Sequence, residues 1–494
     1  MLMPKAEGEI LAQRKDLLTD LRAIVPGEGV IADEIALRAY ESDGLSVYRQ
    51  VPMAVVLPET VAQVSAIMKL CDKRQIKVVP RGAGTSLSGG ALPLEDGIVL
   101  GLGKFNKILE IDYENRAVRV QPGVTNLGIS QAVEDEEFYY APDPSSQIAC
   151  SIGGNVAENA GGVHCLKYGV TTNNLLGLEM VLLSGEVIRL GGKHLDSGGY
   201  DLMGLLTGSE GLLGVVTEIT VRILKKPETA RAVLIGFPSS VQAGDCVGKV
   251  IGAGIIPGGM EMMDKAAIHA SEEFCNSGYP LEAEALLIVE LDGPQREVDH
   301  VLERGGEIAA ACGSTALRIS ENEDERVAFW AGRKAAFPAI GRISPDYMCM
   351  DGTIPRNRLP EVLKRMSELS AHHGLRVANV FHAGDGNLHP LILFDANAGE
   401  LETAEKFGAD ILRLCVEVGG ELTGEHGIGI EKRDLMGEVF TDEDLAQQQR
   451  IKCAFDPNGR LNPGKVFPVL HRCAELGQMV VHKGQMPYPE LPRF

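Results

Sequence analysis

The ten residues FHAGDGNLHP, positions 381–390, set two histidines around a Gly-Asp-Gly. Imidazoles are common metal ligands, and a shared ion must lie roughly 2 Å from each nitrogen. A helix would hold His382 and His389 about 10 Å apart along its axis. A continuous strand would separate them by more than about 20 Å and turn them to opposite faces. To share an ion the chain must reverse between them. Gly384 and Gly386 give the backbone freedom, and Asp385 and Asn387 favour turns. The flanks RVANVFH and LHPLILF both read as strand, so a hairpin with a polar tip is expected. Its histidines are either a ligand pair or incidental. A second stretch, TGEHGIG at 423–429, puts Glu425 beside His426. Two histidines and a carboxylate with open positions form a familiar catalytic metal set. In the competing reading these side chains hydrogen-bond a substrate directly.

Residues 1 to about 50 read as helical. AVVLPETVAQVSAIMKLCDKRQIKVVPRG follows as strand, helix, strand. Thr60 with Gln63 forms a capping box, and Val61, Val64, Met68 and Cys71 recur at helical spacing. Strands are expected at GIVLGL, KILEID and AVRVQPG, and a hairpin at LEMVLLSGEVIRLG with its turn at Ser184-Gly185. Charge and proline after GVVTEITVRILKKP mark a boundary near 227. Strands RAVLIGF, ALLIVELDG and YMCMDGTIP and helices LPEVLKRMSELSAHHG and LETAEKFGADILRLCVEVGG then predict an α+β unit over 228–440. It is expected to be an antiparallel sheet with helices on one face. Residues 441–494 form a Pro/Gly-rich closing segment.

The 494 residues suffice for two or three cores. Forty-seven basic against 68 acidic side chains leave a net charge of −21, which argues against nucleic acid or an anionic membrane as the main partner. The cysteines at 71, 150, 165, 246, 275, 312, 349, 415, 453 and 473 form no C-x-x-C pair, so no iron–sulfur or zinc-ribbon framework is present. Their scatter suits a reducing cytosol. The charged, helical N-terminus is not a signal peptide, and no apolar run spans a bilayer. A cytoplasmic protein is expected, at most peripheral at the inner face of the cell membrane.

PRGAGTSLSGG at 80–90 follows a strand, and its backbone N–H groups can cradle a pyrophosphate. It is not a P-loop. APDPSSQIACSIGGNVAENAGGVHCLKYGVTTNNLLG at 141–177 and LTGSEGLLGVVTEIT at 206–220 repeat the theme. Small residues let a large flat ligand approach the backbone closely. Three such loops in one domain exceed what packing requires.

The order of these loops resembles the flavin-binding domain of vanillyl-alcohol-oxidase type FAD-linked oxidases. FWAGRKAAFPAIGRISPDYMCMDGTIP, FHAGDGNLHP, GGELTGEHGIGIEKR and FDPNGRLNPGK extend the match through the cap. Almost the whole chain is similar to the FAD-binding subunits of bacterial glycolate dehydrogenases. The resemblance implies a two-subdomain FAD domain over 51–227. Residues 1–50 would pack on it, 228–440 would form a substrate-binding cap with the metal site, and 441–494 would return to the FAD domain. It implies FAD contacts from Pro80, Arg81, Gly82, Ala83, Gly84, Thr85, Ser86, Gly89 and Gly90; from Pro144, Ser145, Ser146, Gly153, Asn155, Gly161 and Gly162; and from Glu210, Gly211, Gly214 and Ile219. Members with covalent FAD carry a histidine in the first loop, where this chain has Thr85, which implies non-covalent flavin. His164 is a further histidine in a flavin-lining loop.

In relatives the equivalents of His382, His389 and Glu425 bind a divalent metal, here Zn, Mn or Fe. The implied activity is oxidation of a small 2-hydroxy acid, glycolate and also D-lactate, to the 2-oxo acid. Hydride leaves C2 for the flavin, and the hydroxyl proton must go to a base. His426 is expected in that role because histidine titrates near neutrality. Arg333 matches the family's substrate arginine, with Arg342 a second candidate and Asn387 a hydrogen-bonding one. Larger-acid relatives carry a lysine near YMCMDGTIP, where this chain has Cys349. Electrons are expected to pass to a second FAD-binding subunit, an iron–sulfur subunit or a quinone rather than NAD. Alternatives are a D-2-hydroxyglutarate or D-lactate dehydrogenase of the same fold, a metal-dependent hydrolase, and an electron-transfer subunit without a substrate site.

Overall fold

The computed structural model describes residues 3–194 and 198–468; Cys473 and the rest of the closing segment after 468 lie outside the described residues. In the first half, strands Ala54–Val56, Gly97–Gly101 and Lys77–Arg81 run parallel, with Val30–Ile31 antiparallel at the edge. Parallel neighbours need a crossover, and helix Val61–Arg74 supplies it. Its start is fixed reciprocally: Thr60 Oγ1 accepts the Gln63 N–H at 3.2 Å, and Gln63 Oε1 accepts the Thr60 N–H at 3.3 Å. Val64, Ile67, Met68 and Cys71 are buried, whereas Val61 is only half-buried at the margin of the same core. Strand Lys77–Arg81 runs directly into the first glycine loop. Helix Arg14–Ile24 lays Leu17, Leu18 and Leu21 on this core.

A second sheet holds five antiparallel strands in the order Ile108–Asp112, Ala117–Val120, Val215–Arg222, Leu175–Val181, Val187–Gly191. Its last two strands form the expected hairpin. Gly185 takes φ +79° there and donates its N–H to Leu182 O at 2.9 Å. Helix Ile152–Glu158 starts at Ser151, whose Oγ accepts the Gly154 N–H at 3.3 Å, and packs Ile152 and Val156 on this sheet.

The cap is a seven-stranded antiparallel sheet, ordered Ala316–Ile319, Thr229–Phe237, Ala285–Gly293, Gly259–Asp264, Arg376–Phe381, Pro390–Phe394, Asp346–Cys349. Helices cover both of its faces, not one as the sequence pattern suggested. Val233 and Ile235 meet helices Ser240–Gly252, Leu359–His373 and Leu401–Glu417 on one side. Leu234 and Ile288 meet Lys265–Cys275, Glu323–Lys334 and Ala336–Ile340 on the other. The physical sign is strand Ala285–Gly293, buried at every position from 285 to 291. A run buried at every position, apolar from 285 to 289, belongs to a strand covered on both sides.

The closing segment lies against the first half. Val78 N–H donates to Arg460 O and Asn462 N–H to Val78 O, each at 2.8 Å. Asn462 Nδ2 donates to the carbonyls of Gly90 (2.8 Å) and Glu210 (2.7 Å), linking two glycine loops. Among the described residues all nine cysteines are free, and no helix is long and apolar enough to cross a membrane.

Candidate active site

A cavity of about 490 Å³ opens between the glycine loops and the cap. Pro80, Arg81, Gly82, Ala83, Gly84, Thr85, Ser86 and Gly90 line it from the first loop. Pro144, Ser145, Ser146, Gly153 and Asn155 line it from the second, and Glu210, Gly211 and Gly214 from the third. The glycines let the loops interlock. A Cβ at Gly82 would fall 2.2 Å from Ser151 Oγ, and one at Gly153 2.6 Å from Pro122 Cβ. Arg81 turns its guanidinium back, donating from Nη1 to Ser42 O at 2.6 Å over the Tyr40 ring.

Four expected cofactor residues do not line the cavity. Gly89 packs on Ile430, and Gly162 lies against the Asp143 backbone. Gly161 donates its N–H to Glu425 Oε2 at 3.0 Å. Ile219 sits mid-strand between Val120 and Leu178, fully buried in the apolar core, because alternation turns it away from the loops. Among the lining residues the sequence reading missed are Ser151, Glu158, Lys334 and Phe337.

At the cap end of the cavity stand His389, Glu425 and His426. The chain reverses as the chemistry required. His382 N–H donates to Asn387 O, and Gly386 N–H, at φ +83°, donates to His382 O, each at 3.1 Å. The His382 and His389 rings come to 5.0 Å. Glu425 Oε1 is 3.0 Å from His382 Nε2 and 3.3 Å from His389 Nε2. One donor atom from each of the three residues lies within 4.8 Å of the others, all in a buried setting. His389 Nε2 is buried without a hydrogen bond, which a metal ion would relieve. His382 Nδ1 lies 2.7 Å from Glu261 Oε1. A carboxylate there fixes the ring and its tautomer, the usual backing for a ligating histidine. Burial alone would raise the Glu425 carboxyl, but His382, His389 and His426 hold it at about 2. The donor set therefore fits a divalent ion.

His426 stacks on His389 with centroids 4.8 Å apart. Burial lowers its pKa to about 4, below the near-neutral value expected from sequence, so the imidazole is neutral at pH 7. Its Nδ1 is buried without a partner. Asp351, His389 and His426 form a second converging trio. Backbone N–H donors and Lys432 already fill the Asp351 carboxylate, so it is the weaker candidate for an ion.

Arg333 is buried and donates from Nε to Glu261 Oε2 at 2.8 Å, with Nη2 2.7 Å from the same oxygen. Its Nη1 is buried without a partner. Glu261, which sequence reasoning missed, thus joins His382 to Arg333. Asn387 is buried against Gly424, with its Oδ1 unpartnered. Arg342 does not join the site. It is exposed, with its guanidinium over the Phe274 ring at 4.8 Å. His164 has both nitrogens occupied, by Asp143 Oδ2 at 3.0 Å and Glu290 Oε1 at 3.1 Å.

Residues 52–191 match the FAD binding domain family, and residues 226–466 match FAD linked oxidases, C-terminal domain. The chain is 57% identical over 482 residues to glycolate oxidase subunit GlcD of Escherichia coli (strain K12), covering 97% of each. It belongs to the vanillyl-alcohol-oxidase type of FAD-linked oxidases. FAD is its cofactor, and oxidoreduction is its chemistry. The chain is also 32% identical to D-lactate dehydrogenase of Anaerostipes hadrus, over 91% of this chain and 97% of that one. Among solved structures, 4-ethylphenol oxidase from Gulosibacter chungangensis shares the fold, with a TM-score of 0.80 at 20% identity over 96% of this chain and all of that one.

Proposed function

We propose that the chain oxidises glycolate, and also D-lactate, to the 2-oxo acid, with FAD held non-covalently by the three glycine loops. His382, His389 and Glu425 would hold a divalent ion. The observation that carries this reading is the convergence of these three donors and His426 at one end of the loop-lined cavity. When bound, FAD would supply the acceptor for the C2 hydride, and the ion would supply positive charge that acidifies the substrate hydroxyl.

This chain's own residues bind the acid and move its proton. Arg333, paired with Glu261 and buried just behind the cavity lining, would turn its unpartnered Nη1 to the substrate carboxylate. Asn387 offers its amide beside the same turn. Neutral His426 takes the hydroxyl proton at a ring nitrogen; its lowered pKa makes it a weaker base but keeps it unprotonated. Cap residues Phe337 and Pro338 line the cap side of the cavity.

A small substrate is supported by the names of the Escherichia coli and Anaerostipes hadrus relatives and by Cys349. Cys349 is buried in the cap core outside the cavity lining and brings no cation toward a second carboxylate. A D-2-hydroxyglutarate preference is correspondingly disfavoured. Both nitrogens of His164 are engaged, which supports a flavin without a histidyl bond. Electrons would pass to a partner subunit, a second FAD-binding or an iron–sulfur one, or to a quinone, rather than to NAD. The matching relative is itself named a subunit. Work in the cytoplasm, with membrane contact only through partners, accords with this chemistry.

Chelation tests the reading. Treated with a chelator and kept anaerobic, the protein is expected to retain its flavin but lose reduction by glycolate, and to regain it with Zn²⁺ or Mn²⁺. Undiminished reduction after removal of the ion would overturn the metal assignment.

A further inference from the structure

Residues 423–427, which carry Glu425 and His426, lie in no helix or strand. Their backbone groups therefore lack the ladder that fixes most buried chain. One ion pair takes most of their N–H groups, while Ser86 Oγ donates to the His426 carbonyl at 3.3 Å and Gly161 N–H to Glu425 Oε2 at 3.0 Å. Asp351 is fully buried and accepts N–H groups from Gly424 (3.1 Å), Glu425 (3.2 Å) and His426 (2.9 Å), together with the Thr423 hydroxyl. Lys432, equally buried, stands 3.1 Å from Asp351 Oδ2. It donates to Gly427 O at 2.9 Å and to Thr423 Oγ1 at 3.4 Å. The anion thus takes the donors of the turn and the cation takes an acceptor at its end. His389 Nε2 lies 3.4 Å from Asp351 Oδ1 and Glu431 3.7 Å from Lys432 Nζ, and the His426 ring, Glu210, Cys349 and Cys415 also bear on the pair.

We propose that the buried Asp351–Lys432 pair positions the proposed ligand Glu425 and the proposed base His426. It rests on the reading given under Proposed function. Neither residue lines the cavity, so the pair acts through the turn. A carboxylate is required because every group facing it donates, and only an acceptor with two oxygens meets three N–H groups, a hydroxyl and an ammonium. Asparagine has the same shape but turns an NH₂ toward donors. On the far side, Gly424 abuts the Asn387 side chain, where a Cβ would fall 2.4 Å from Asn387 Cγ. The turn is thus held from both sides.

The test uses the FAD-loaded full chain, freed of metal, titrated calorimetrically with Zn²⁺ and with Mn²⁺, and assayed with glycolate. Wild type, D351N, K432Q and the double variant are compared. D351N is expected to weaken ion affinity about tenfold or more. Its visible flavin absorbance should stay intact, and kcat should fall more than KM rises. The double variant should bind the ion no worse than the weaker single, since the pair acts as a unit. Wild-type affinity and kcat in both singles, fully additive losses, or loss of flavin along with the ion would overturn the proposal. If D351N does not fold, T423V removes one donor from the same carboxylate. A weaker ion affinity with flavin retained supports the proposal, and an unchanged affinity overturns it. If the wild type itself takes up neither ion, the metal reading fails. The pair is then judged through His426: lower kcat at unchanged KM in D351N upholds it, and unchanged kcat overturns it.

Discussion

Glu261 links the proposed metal ligand His382 to the proposed substrate arginine Arg333. One oxygen backs His382 Nδ1 at 2.7 Å and the other holds Arg333 Nε at 2.8 Å. Burial would raise its carboxyl, but His382 and Arg333 outweigh burial and keep it ionised. Glu261→Gln keeps the shape and removes the charge that orients both partners. Ion affinity is expected to fall about 10- to 100-fold, and KM for glycolate to rise, measured by ion titration and steady-state kinetics. That His382, His389, Glu425 and His426 stand together was legible from sequence because two short glycine-bearing turns carry them. Glu261 was not, because it lies 121 residues before His382 in a strand, GMEMMD, that reads as core. Arg342 was misread for the complementary reason: sequence states its charge but not its direction.

At the scale of elements, local signals were legible where the chain closes on itself. The capping box of helix Val61–Arg74 forms with the expected residues. Thr60→Ala is expected to cost about 0.5–2 kcal/mol in chemical unfolding, with the flavin spectrum unchanged. The hairpin at 381–390 was legible from the constraint that two histidines must meet. Coverage of the cap sheet on both faces was not, because periodicity identifies a helix's buried stripe without saying which side of a sheet receives it. The misplacement of Ile219 has a related cause, since proximity in sequence to a glycine loop does not set the face of a strand.

At the scale of the molecule, the two halves meet at His164. Burial would lower its pKa, but Asp143 from the loop side and Glu290 from the cap raise it well above the ordinary value. Trp330 Nε1 and Arg326 Nη1 each donate to Glu290 Oε2 at 2.6 Å, and His164 and Arg326 hold its carboxyl at about 2 despite burial. A raised histidine stabilises the fold fully below its unfolded value, about 6.5, and loses that contribution as pH climbs through the folded value. The thermal midpoint of wild type is therefore expected to decline above neutrality by an increment that His164→Asn lacks, read from melting curves across pH. The Glu290 contribution has the opposite sign, present above the ordinary carboxyl range and lost as pH falls toward 2. The order of the three loops and the cap motifs made the family and its fold class legible. Cross-domain ties such as this one were not, since His164 and Glu290 stand 126 residues apart.

The most direct measurement is the visible absorption of the purified protein, recorded without oxygen before and after glycolate is added. A flavin band that bleaches with glycolate, and with D-lactate, is expected. A band that both acids leave untouched in metal-replete protein, or no flavin band after FAD is supplied, would contradict oxidation of small 2-hydroxy acids at this site.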